Sequence, residues 1–219
     1  MNALVFLLDV DNTLLDNDQI ETDLSEHLTH VFGRNACERY WTILEQLRAE
    51  LGYADFLGAL QRYRAENLHE PRILEISSFL VDYPFAERLY PKAIEIVTYL
   101  NKTGPAVIFS DGDAVFQPRK VDRSGLWKAV DGRVLIYIHK EQMLDNVEYC
   151  YPAEHYVFVD DKIRLLTAVK QGWRDRVTTV FAQQGHYAWD PSVRTYPPAD
   201  LTIAHIGDLF EHIDVLSAD

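Results

Sequence analysis

The sequence predicts an α/β fold, a Rossmann-like parallel sheet flanked by helices, with an all-helical insertion near its start. Short apolar runs alternate with helical patterns along most of the chain, as in parallel sheets covered on both faces. The runs are continuously apolar, which is typical of strands buried on both sides. A stretch from about residue 17 to 88 breaks this alternation with helical patterns alone.

The core elements follow in order. Two stretches with apolar residues at helical spacing, 91–102 and 162–171, predict crossover helices that end at Gly104 and Gly172. A last apolar run over 201–204 predicts an edge strand, and 208–213 predicts a closing helix. The runs that predict the main strands are Ala3–Leu8, Ala106–Phe109, Val134–Ile138, Tyr156–Val159 and Val177–Phe181.

The insertion carries four helical patterns and no convincing strand, and the second pattern ends at Gly52. Because it follows the first strand, it should emerge where that strand ends. We therefore expect an α/β core of residues 1–16 and 89–219 and a helical insertion of residues 17–88. The aromatic and histidine residues of this insertion, such as Trp41, Tyr53, Tyr63 and His69, are expected to pack it or to lie on its surface. The stretch 183–189 could line the entrance of a cleft, but a surface loop is favoured.

Composition narrows the function classes. The net charge of -13 and the pI near 5.0 argue against binding to nucleic acid or to an anionic membrane. An acidic protein that handles phosphate must concentrate positive charge locally, through a bound cation and a few lysines. The apolar run Ala3–Leu8 is too short for a membrane span or signal peptide, which predicts a cytoplasmic protein. Cys37 and Cys150 lack metal-ligand spacing, and the sequence leaves a homodimer open.

Reactive side chains follow four of the predicted strands. They are Asp9 and Asp11, then Ser110, then Lys140, and finally Asp160 with Asp161. Each alone is readily explained as a helix cap, a turn or a surface lysine. Ligands of open parallel sheets bind outside the carboxyl ends of the strands, so together these residues predict one catalytic site.

The pattern Asp-x-Asp-x-Thr over residues 9–13, followed by Ser110, Lys140 and the Asp160–Asp161 pair, resembles the four motifs of the haloacid dehalogenase (HAD) superfamily. The insertion resembles the helical cap of one large branch of that superfamily. The resemblance implies that Asp9 is the nucleophile and Asp11 the general acid and base. It implies that Ser110 and the N–H groups after it bind phosphoryl oxygens, and that Lys140 bridges nucleophile and phosphoryl group.

The same resemblance implies a Mg²⁺ cofactor. Its ligands would be the Asp9 side chain, the Asp11 backbone carbonyl and the Asp160–Asp161 pair, with Asp160 expected to make the direct contact. Lys140 departs from the family pattern because no proline follows it, so His139 or Lys162 could stand in its place.

These residues predict a Mg²⁺-dependent phosphohydrolase that acts on a small phosphate monoester through an aspartyl-phosphate intermediate. A phosphotransferase or phosphomutase would share every motif and stays open. A 2-haloacid dehalogenase of the same superfamily has no need of the acid at Asp11, since a halide leaves unprotonated. The non-enzyme alternatives are a receiver-like protein, which would be shorter and place its lysine last, and a degenerate binding protein, which the full catalytic set does not favour.

Overall fold

The computed structural model describes residues 2–216, and these form a six-stranded parallel sheet in the order β3-β2-β1-β4-β5-β6. The predicted fold class is confirmed. Central strands β1 and β4 send alternate side chains into two apolar clusters, so that Phe6 and Leu8 face one and Val5 and Leu7 the other. The strands are β1 Asn2–Leu8, β2 Ala106–Asp111, β3 Val134–Tyr137, β4 Ala153–Asp160, β5 Val177–Ala182 and β6 Leu201–Ile203.

The register of β1 with its two neighbours decides where the site forms. Leu8 of β1 lies beside Ile108 of β2 on one side and beside Val159 of β4 on the other. One residue further, Asp9 therefore stands level with Asp160. Because all three strands run in parallel, their carboxyl ends deliver their side chains to the same edge.

Four helices follow β1 before the chain returns to the sheet. Helix α1 begins where the Asp16 side chain accepts a hydrogen bond from the Gln19 N–H, and α2 ends at Gly52, which has a left-handed φ of 85° as the sequence predicts. Buried residues of these helices, such as Leu24 and Ile76, share one apolar cluster with Phe6 of the sheet. The helices are α1 Asn17–Phe32, α2 Arg34–Leu51, α3 Phe56–Glu66 and α4 Ile73–Asp82.

The remaining helices pack around the sheet, joined in places by 3-10 turns. The predicted helix at 208–213 is instead a 3-10 turn over Ile206–Glu211 followed by a short helix. In the described residues no helix is long and apolar enough to span a bilayer. The helices are α5 Ala93–Leu100, α6 Phe116–Arg123, α7 Leu126–Ala129, α8 Leu144–Cys150, α9 Ile163–Trp173 and α10 Ile213–Leu216.

The two glycine caps predicted for the crossover helices are wrong. Helix α5 ends at Leu100 with Asn101 as its C-cap. Helix α9 continues through Gly172 to Trp173, and its C-cap is Arg174, whose φ is 52°. These glycines serve close approach instead. A Cβ on Gly104 would lie 2.5 Å from the Leu4 carbonyl oxygen, and one on Gly172 would lie 2.6 Å from the Leu144 side chain.

Candidate active site

Side chains from four strand ends meet in one buried cluster. The Lys140 ammonium Nζ lies 2.5 Å from Asp9 Oδ1 and 2.6 Å from Asp160 Oδ2, and it donates to the Phe109 carbonyl at 3.0 Å. Ser110 Oγ donates to Asp9 Oδ1 at 3.4 Å. Asp9, Ser110, Lys140 and Asp160 are all at most 2% exposed. The structure thus joins four of the predicted site residues by direct contact.

Lys140 is held in place by its own backbone. It opens a 3-10 turn after β3, and its N–H donates to Asp111 Oδ1 at 2.7 Å. Burial works against the charged ammonium, but Asp160 and Asp9 outweigh it and raise the pKa of Lys140. Burial likewise raises the pKa of Asp111 to about 6, against the opposing effect of Lys140. The lysine therefore stays charged and partly neutralises the acidic cluster.

Neither alternative to Lys140 occupies its position. The His139 ring points toward the cap, where a Cβ on Gly52 would lie 2.3 Å from its Cε1 atom. Lys162 pairs loosely with Asp161, at 3.9 Å, and its ammonium lies 4.8 Å from the centre of the Tyr187 ring. Lys140 is the lysine that contacts the predicted nucleophile.

Three aspartates form a group that could hold a cation. One carboxylate oxygen from each of Asp9, Asp160 and Asp161 lies within 4.8 Å of the others. Burial raises the pKa of Asp160, and it raises the pKa of Asp161 well above the usual range. Neither carboxylate oxygen of Asp161 accepts a hydrogen bond from the residues the structure describes, although the side chain is fully buried.

The two members of the aspartate pair differ in how they are bound. Asp160 accepts the Lys162 N–H at 2.7 Å through Oδ1 and faces Lys140 through Oδ2. Among residues 2–216, the ion-pair partner of Asp161 is the Lys162 ammonium, 3.9 Å away. A buried carboxylate without donors is costly, so the free oxygens of Asp161 mark the place where positive charge would be most stabilising.

Asp11 lies at the edge of this cluster with a quarter of its side chain exposed. Its Oδ1 is 2.7 Å from Lys120 Nζ, and its Oδ2 accepts from Gln117 Nε2 at 3.4 Å. Gln117 also donates to Ser110 Oγ at 3.0 Å. The two predicted aspartates therefore differ: Asp9 is almost fully buried, whereas Asp11 is partly exposed and is supported by α6.

The loop from Asp9 to α1 is fixed by Asn12. Its φ of 59° turns the chain, and its Oδ1 accepts the N–H groups of Asn17 at 3.0 Å and Asp18 at 3.2 Å. Gly185 approaches so closely that a Cβ there would lie 2.4 Å from Asn12 Cγ. Thr13, the last residue of the Asp-x-Asp-x-Thr pattern, is buried with its hydroxyl 3.5 Å from Asp9 Oδ2.

A cavity of about 400 Å³ separates the strand ends from the cap. Asp11, Asp111 and Lys162 line its core side, and Arg48 and Tyr53 line its cap side. Further lining comes from the segment around Tyr187, whose hydroxyl lies 3.5 Å from Arg48 Nη1. The cavity is thus a cleft of small-molecule size that opens directly onto Asp11.

With this geometry in view, comparison with known proteins is informative. No protein-family model and no curated protein sequence matches the chain. It is 58% identical to a haloacid dehalogenase-like hydrolase from Burkholderia xenovorans LB400, over the whole of both chains, with a TM-score of 0.95. The chain belongs to the haloacid dehalogenase-like hydrolases. The predicted family and the prediction of a hydrolase are confirmed.

More distant structures share the fold of this HAD-like hydrolase. L-2-haloacid dehalogenase from Xanthobacter autotrophicus is 18% identical, with 97% of this chain and 98% of that chain covered and a TM-score of 0.62. The HAD-hydrolase YfnB from Bacillus subtilis, in a form bound to magnesium, is also 18% identical, with 98% and 100% covered and a TM-score of 0.62. These likenesses extend over the cap as well as the sheet.

Some expectations for this HAD-like hydrolase need correction. Gly112 follows Ser110, but its N–H already donates to the Tyr137 carbonyl at 2.9 Å, so it does not point free toward a phosphoryl oxygen. Its φ is also not left-handed. A Cβ on Gly112 would lie 2.6 Å from Gln117 Cβ, so the position requires glycine to let α6 approach the strand end.

The aromatic expectations held only in part. Tyr63 is buried in the apolar cluster, Trp41 packs against it, and His69 is exposed, as expected. Tyr53 and Tyr187 instead line the cavity, so at Tyr187 the structure agrees with a segment that lines the cleft and not with the favoured surface loop. That segment turns inward because Gly185 packs on Asn12 of the catalytic loop.

Sequence reasoning missed Lys120 and Gln117. Both are buried, and both lie on α6, three residues apart and therefore on the same helical face. The signal was present in the sequence. A lysine and a glutamine recur at helical spacing behind the strand end of Ser110, but only tertiary structure shows that this face points to Asp11.

Proposed function

We propose that this HAD-like hydrolase is a Mg²⁺-dependent phosphohydrolase that cleaves a small phosphate monoester through an aspartyl phosphate on Asp9. One observation carries the proposal: a second acid, Asp11, stands two residues beyond the nucleophile and faces the cavity. An alkoxide leaving group needs a proton, whereas a halide does not. The position of Asp11 therefore favours phosphate esters over haloacids.

The acidic cluster fits Mg²⁺. The Asp9, Asp160 and Asp161 side chains form an oxygen-only donor set, which suits this ion, and the Asp11 backbone carbonyl would add a further oxygen. The buried oxygens of Asp161, which accept no hydrogen bond in the described chain, support this assignment and favour Asp161 as a direct ligand. The magnesium bound to YfnB adds support by analogy. Mg²⁺ would neutralise charge on the phosphoryl group as it approaches the anionic nucleophile.

The first half-reaction uses Asp9 and Asp11. An Asp9 carboxylate oxygen attacks phosphorus, the bond from phosphorus to the ester oxygen breaks, and its electron pair leaves with that oxygen. Asp11 donates its proton to the leaving oxygen, which departs as an alcohol. Lys140, 2.5 Å from Asp9, holds the nucleophile and offsets the charge that builds on the phosphoryl group, and Ser110 supports it.

The second half-reaction regenerates Asp9. Water attacks the phosphorus of the aspartyl phosphate while Asp11, now ionised, accepts a proton from that water. The bond between phosphorus and the Asp9 oxygen breaks, and inorganic phosphate leaves. Asp11 faces the cavity, where both the leaving alcohol and the entering water must pass, so one group can serve both half-reactions.

The cavity supports a small substrate. Its volume of about 400 Å³ accommodates a metabolite-sized ester, and the cap covers it with Arg48 and Tyr53. A cap in this position excludes water from the strand ends and contacts the leaving group. We accordingly assign residues 17–88 as a cap that selects substrates and the rest of the chain as the catalytic core.

The test is release of inorganic phosphate from 4-nitrophenyl phosphate and a panel of small phosphate esters, with Mg²⁺ and with chelator. We expect Mg²⁺-dependent release and a higher unfolding temperature with Mg²⁺, because a ligand that binds only the folded state stabilises it. The control is halide release from 2-chloropropionate. Halide release without phosphate release would overturn the proposal, and transfer of phosphate to an added alcohol in preference to water would indicate a phosphotransferase.

A further inference from the structure

Lys120 is a buried lysine that belongs to none of the four motifs. It lies on α6, is 0% exposed, and places its ammonium 2.7 Å from Asp11 Oδ1. The same ammonium donates to Asn17 Oδ1 of the first cap helix at 2.9 Å. It lies 5.2 Å from the ring centre of Phe116 and 6.0 Å from that of Phe56, which belongs to cap helix α3. Lys120 thus contacts the catalytic loop and two cap helices at once.

This environment is specific to the catalytic acid. A buried ammonium is costly unless it is hydrogen-bonded, and here it donates to Asp11 Oδ1 and to Asn17 Oδ1. Gln117, one helical turn earlier on α6, contacts the other Asp11 oxygen at 3.4 Å. Both oxygens of Asp11 therefore have a donor on the same helix, and this fixes the rotation of the carboxyl group as well as its position.

The proposed chemistry makes demands that this support meets. Asp11 must give a proton to the leaving oxygen and then take one from water, and both transfers require hydrogen-bond distance to atoms in the cavity. Displacement of a catalytic group by about 1 Å can cost on the order of 10²-fold in rate. A carboxyl group held by two donors is kept at the required place, while one free to rotate is not.

We propose that Lys120 is the positioning residue of Asp11, and that its hydrogen bond to Asn17 links the position of Lys120 to the cap. The proposal rests on the proposed phosphohydrolase function. It assigns α6 a role in acid–base chemistry and makes the placement of Asp11 depend on the cap, because Asn17 and Phe56 bound the lysine on the cap side.

The experiment compares kcat/KM of Lys120→Gln for two kinds of ester. This constant covers the steps through ester cleavage, where Asp11 acts as an acid. The 4-nitrophenolate group leaves without a proton, whereas an alkoxide needs one. We expect kcat/KM to fall by about 10- to 100-fold for an alkyl phosphate and by less than about 3-fold for 4-nitrophenyl phosphate. Asn17→Ala should show the same selective loss at smaller size.

Two further variants calibrate the result. Asp11→Asn must itself lose alkyl phosphate hydrolysis selectively. If it does not, the acid assignment within the proposed function fails rather than the role of Lys120. Lys170→Gln is the matched control, because Lys170 on α9 pairs with Asp200 at 2.8 Å and does not line the cavity. This control should leave the ratio of the two kcat/KM values unchanged.

The outcomes separate positioning from plain stabilisation. Equal losses on both esters in Lys120→Gln, with Asp11→Asn selective, would overturn the proposal, and so would no loss. If Lys120→Gln does not fold, Lys120→Met keeps most of the side-chain volume, and Asn17→Ala leaves the lysine in place. An absence of selective loss in those variants would contradict the proposal equally. Wild-type protein inactive on both esters would instead contradict the proposed function.

Discussion

The two halves of the site are built differently. The Asp9 half, with Lys140, Asp160 and Asp161, lies at the ends of central strands, and its side chains are at most 3% exposed. The Asp11 half faces the cavity with a quarter of the Asp11 side chain exposed, and helices support it. The first half holds fixed charges in a dry environment, where electrostatic interactions are strong.

The difference fits the roles proposed for the two halves. Asp9 is the proposed nucleophile beside the proposed cation site, and the sheet register keeps both in constant geometry. Asp11 is the proposed general acid and base, and proton exchange with a leaving group and with water needs access to the cavity. Lys120 and Gln117 of α6 hold the Asp11 carboxyl group in place, while its side chain stays open to the cavity.

The largest effect is expected for the Asp9 half. Asp9→Asn removes the proposed nucleophile, and phosphate release should fall by on the order of 10⁴-fold or more, as loss of a nucleophile does in other enzymes. The measurement is steady-state phosphate release at saturating Mg²⁺, with circular dichroism to verify folding. Activity within tenfold of wild type would show that Asp9 is not the nucleophile.

Substitutions in the Asp9 half should also cost the most stability. Lys140→Met leaves Asp9 and Asp160 facing each other without the ammonium, and breaking a buried ion pair from one side costs about 3–5 kcal/mol. Urea unfolding in chelator should show this loss, and Mg²⁺ should offset part of it. The matched variant Lys162→Met should lose less, because Lys162 is 29% exposed and 3.9 Å from Asp161. Equal losses would contradict the comparison.

Substitution of Asp11 should affect activity more than stability. Asp11→Asn should slow turnover of alkyl phosphates by ~10²-fold or more, the usual contribution of a general acid and base. Its unfolding free energy should change less than that of Lys140→Met, because Asp11 is partly exposed. Wild-type activity in this variant, measured as phosphate release, would remove Asp11 from the mechanism.

The smallest effect concerns the cap wall. Burial raises the pKa of Glu21, which lines the cavity, above its ordinary 4.5, with Arg48 and Lys120 opposing. Folding therefore disfavours its ionised form. Glu21→Gln should unfold at a higher temperature at neutral pH, by at most about 2–4 °C, the shift that ~1 kcal/mol makes in a chain of this size.

The pH dependence of that variant follows from linkage. The cost of ionised Glu21 is fully present above its raised pKa, shrinks as pH falls through that pKa, and vanishes below 4.5, where the group is protonated in both states. Thermal unfolding from pH 4 to 8 should show the two proteins converge at low pH. A constant difference across this range would show that Glu21 is not desolvated by the cap.

The Asp9 half of the site could be predicted from the sequence more fully than the support of Asp11. Asp9, Ser110 and Asp160 end or directly follow apolar runs, and parallel topology brings such ends to one edge whatever the loops do. Lys140 lies only three residues beyond the end of β3, in the 3-10 turn that follows this strand. The four cap helices were recognisable from periodicity, and Gly52 marked the end of α2 correctly.

What the sequence could not show depends on distance between elements. Lys120 and Gln117 reach Asp11 across more than 100 positions, and helical spacing does not tell which face of α6 meets the strand ends. Gly104 and Gly172 resembled helix caps, but contacts with Leu4 and Leu144 explain them. Tyr187 entered the cavity because of a loop contact at Asn12, which no local pattern indicates.

The most direct test of the account is to trap the covalent intermediate. Wild-type protein is mixed with Mg²⁺ and a phosphate ester that it hydrolyses, and the reaction is quenched in acid. Borohydride then reduces the acyl phosphate, and mass spectrometry locates the modified peptide. We predict a modification at Asp9 that is absent in Asp9→Asn and without substrate. Phosphate release with no modification, or a modification at Asp11 or Ser110, would contradict the account.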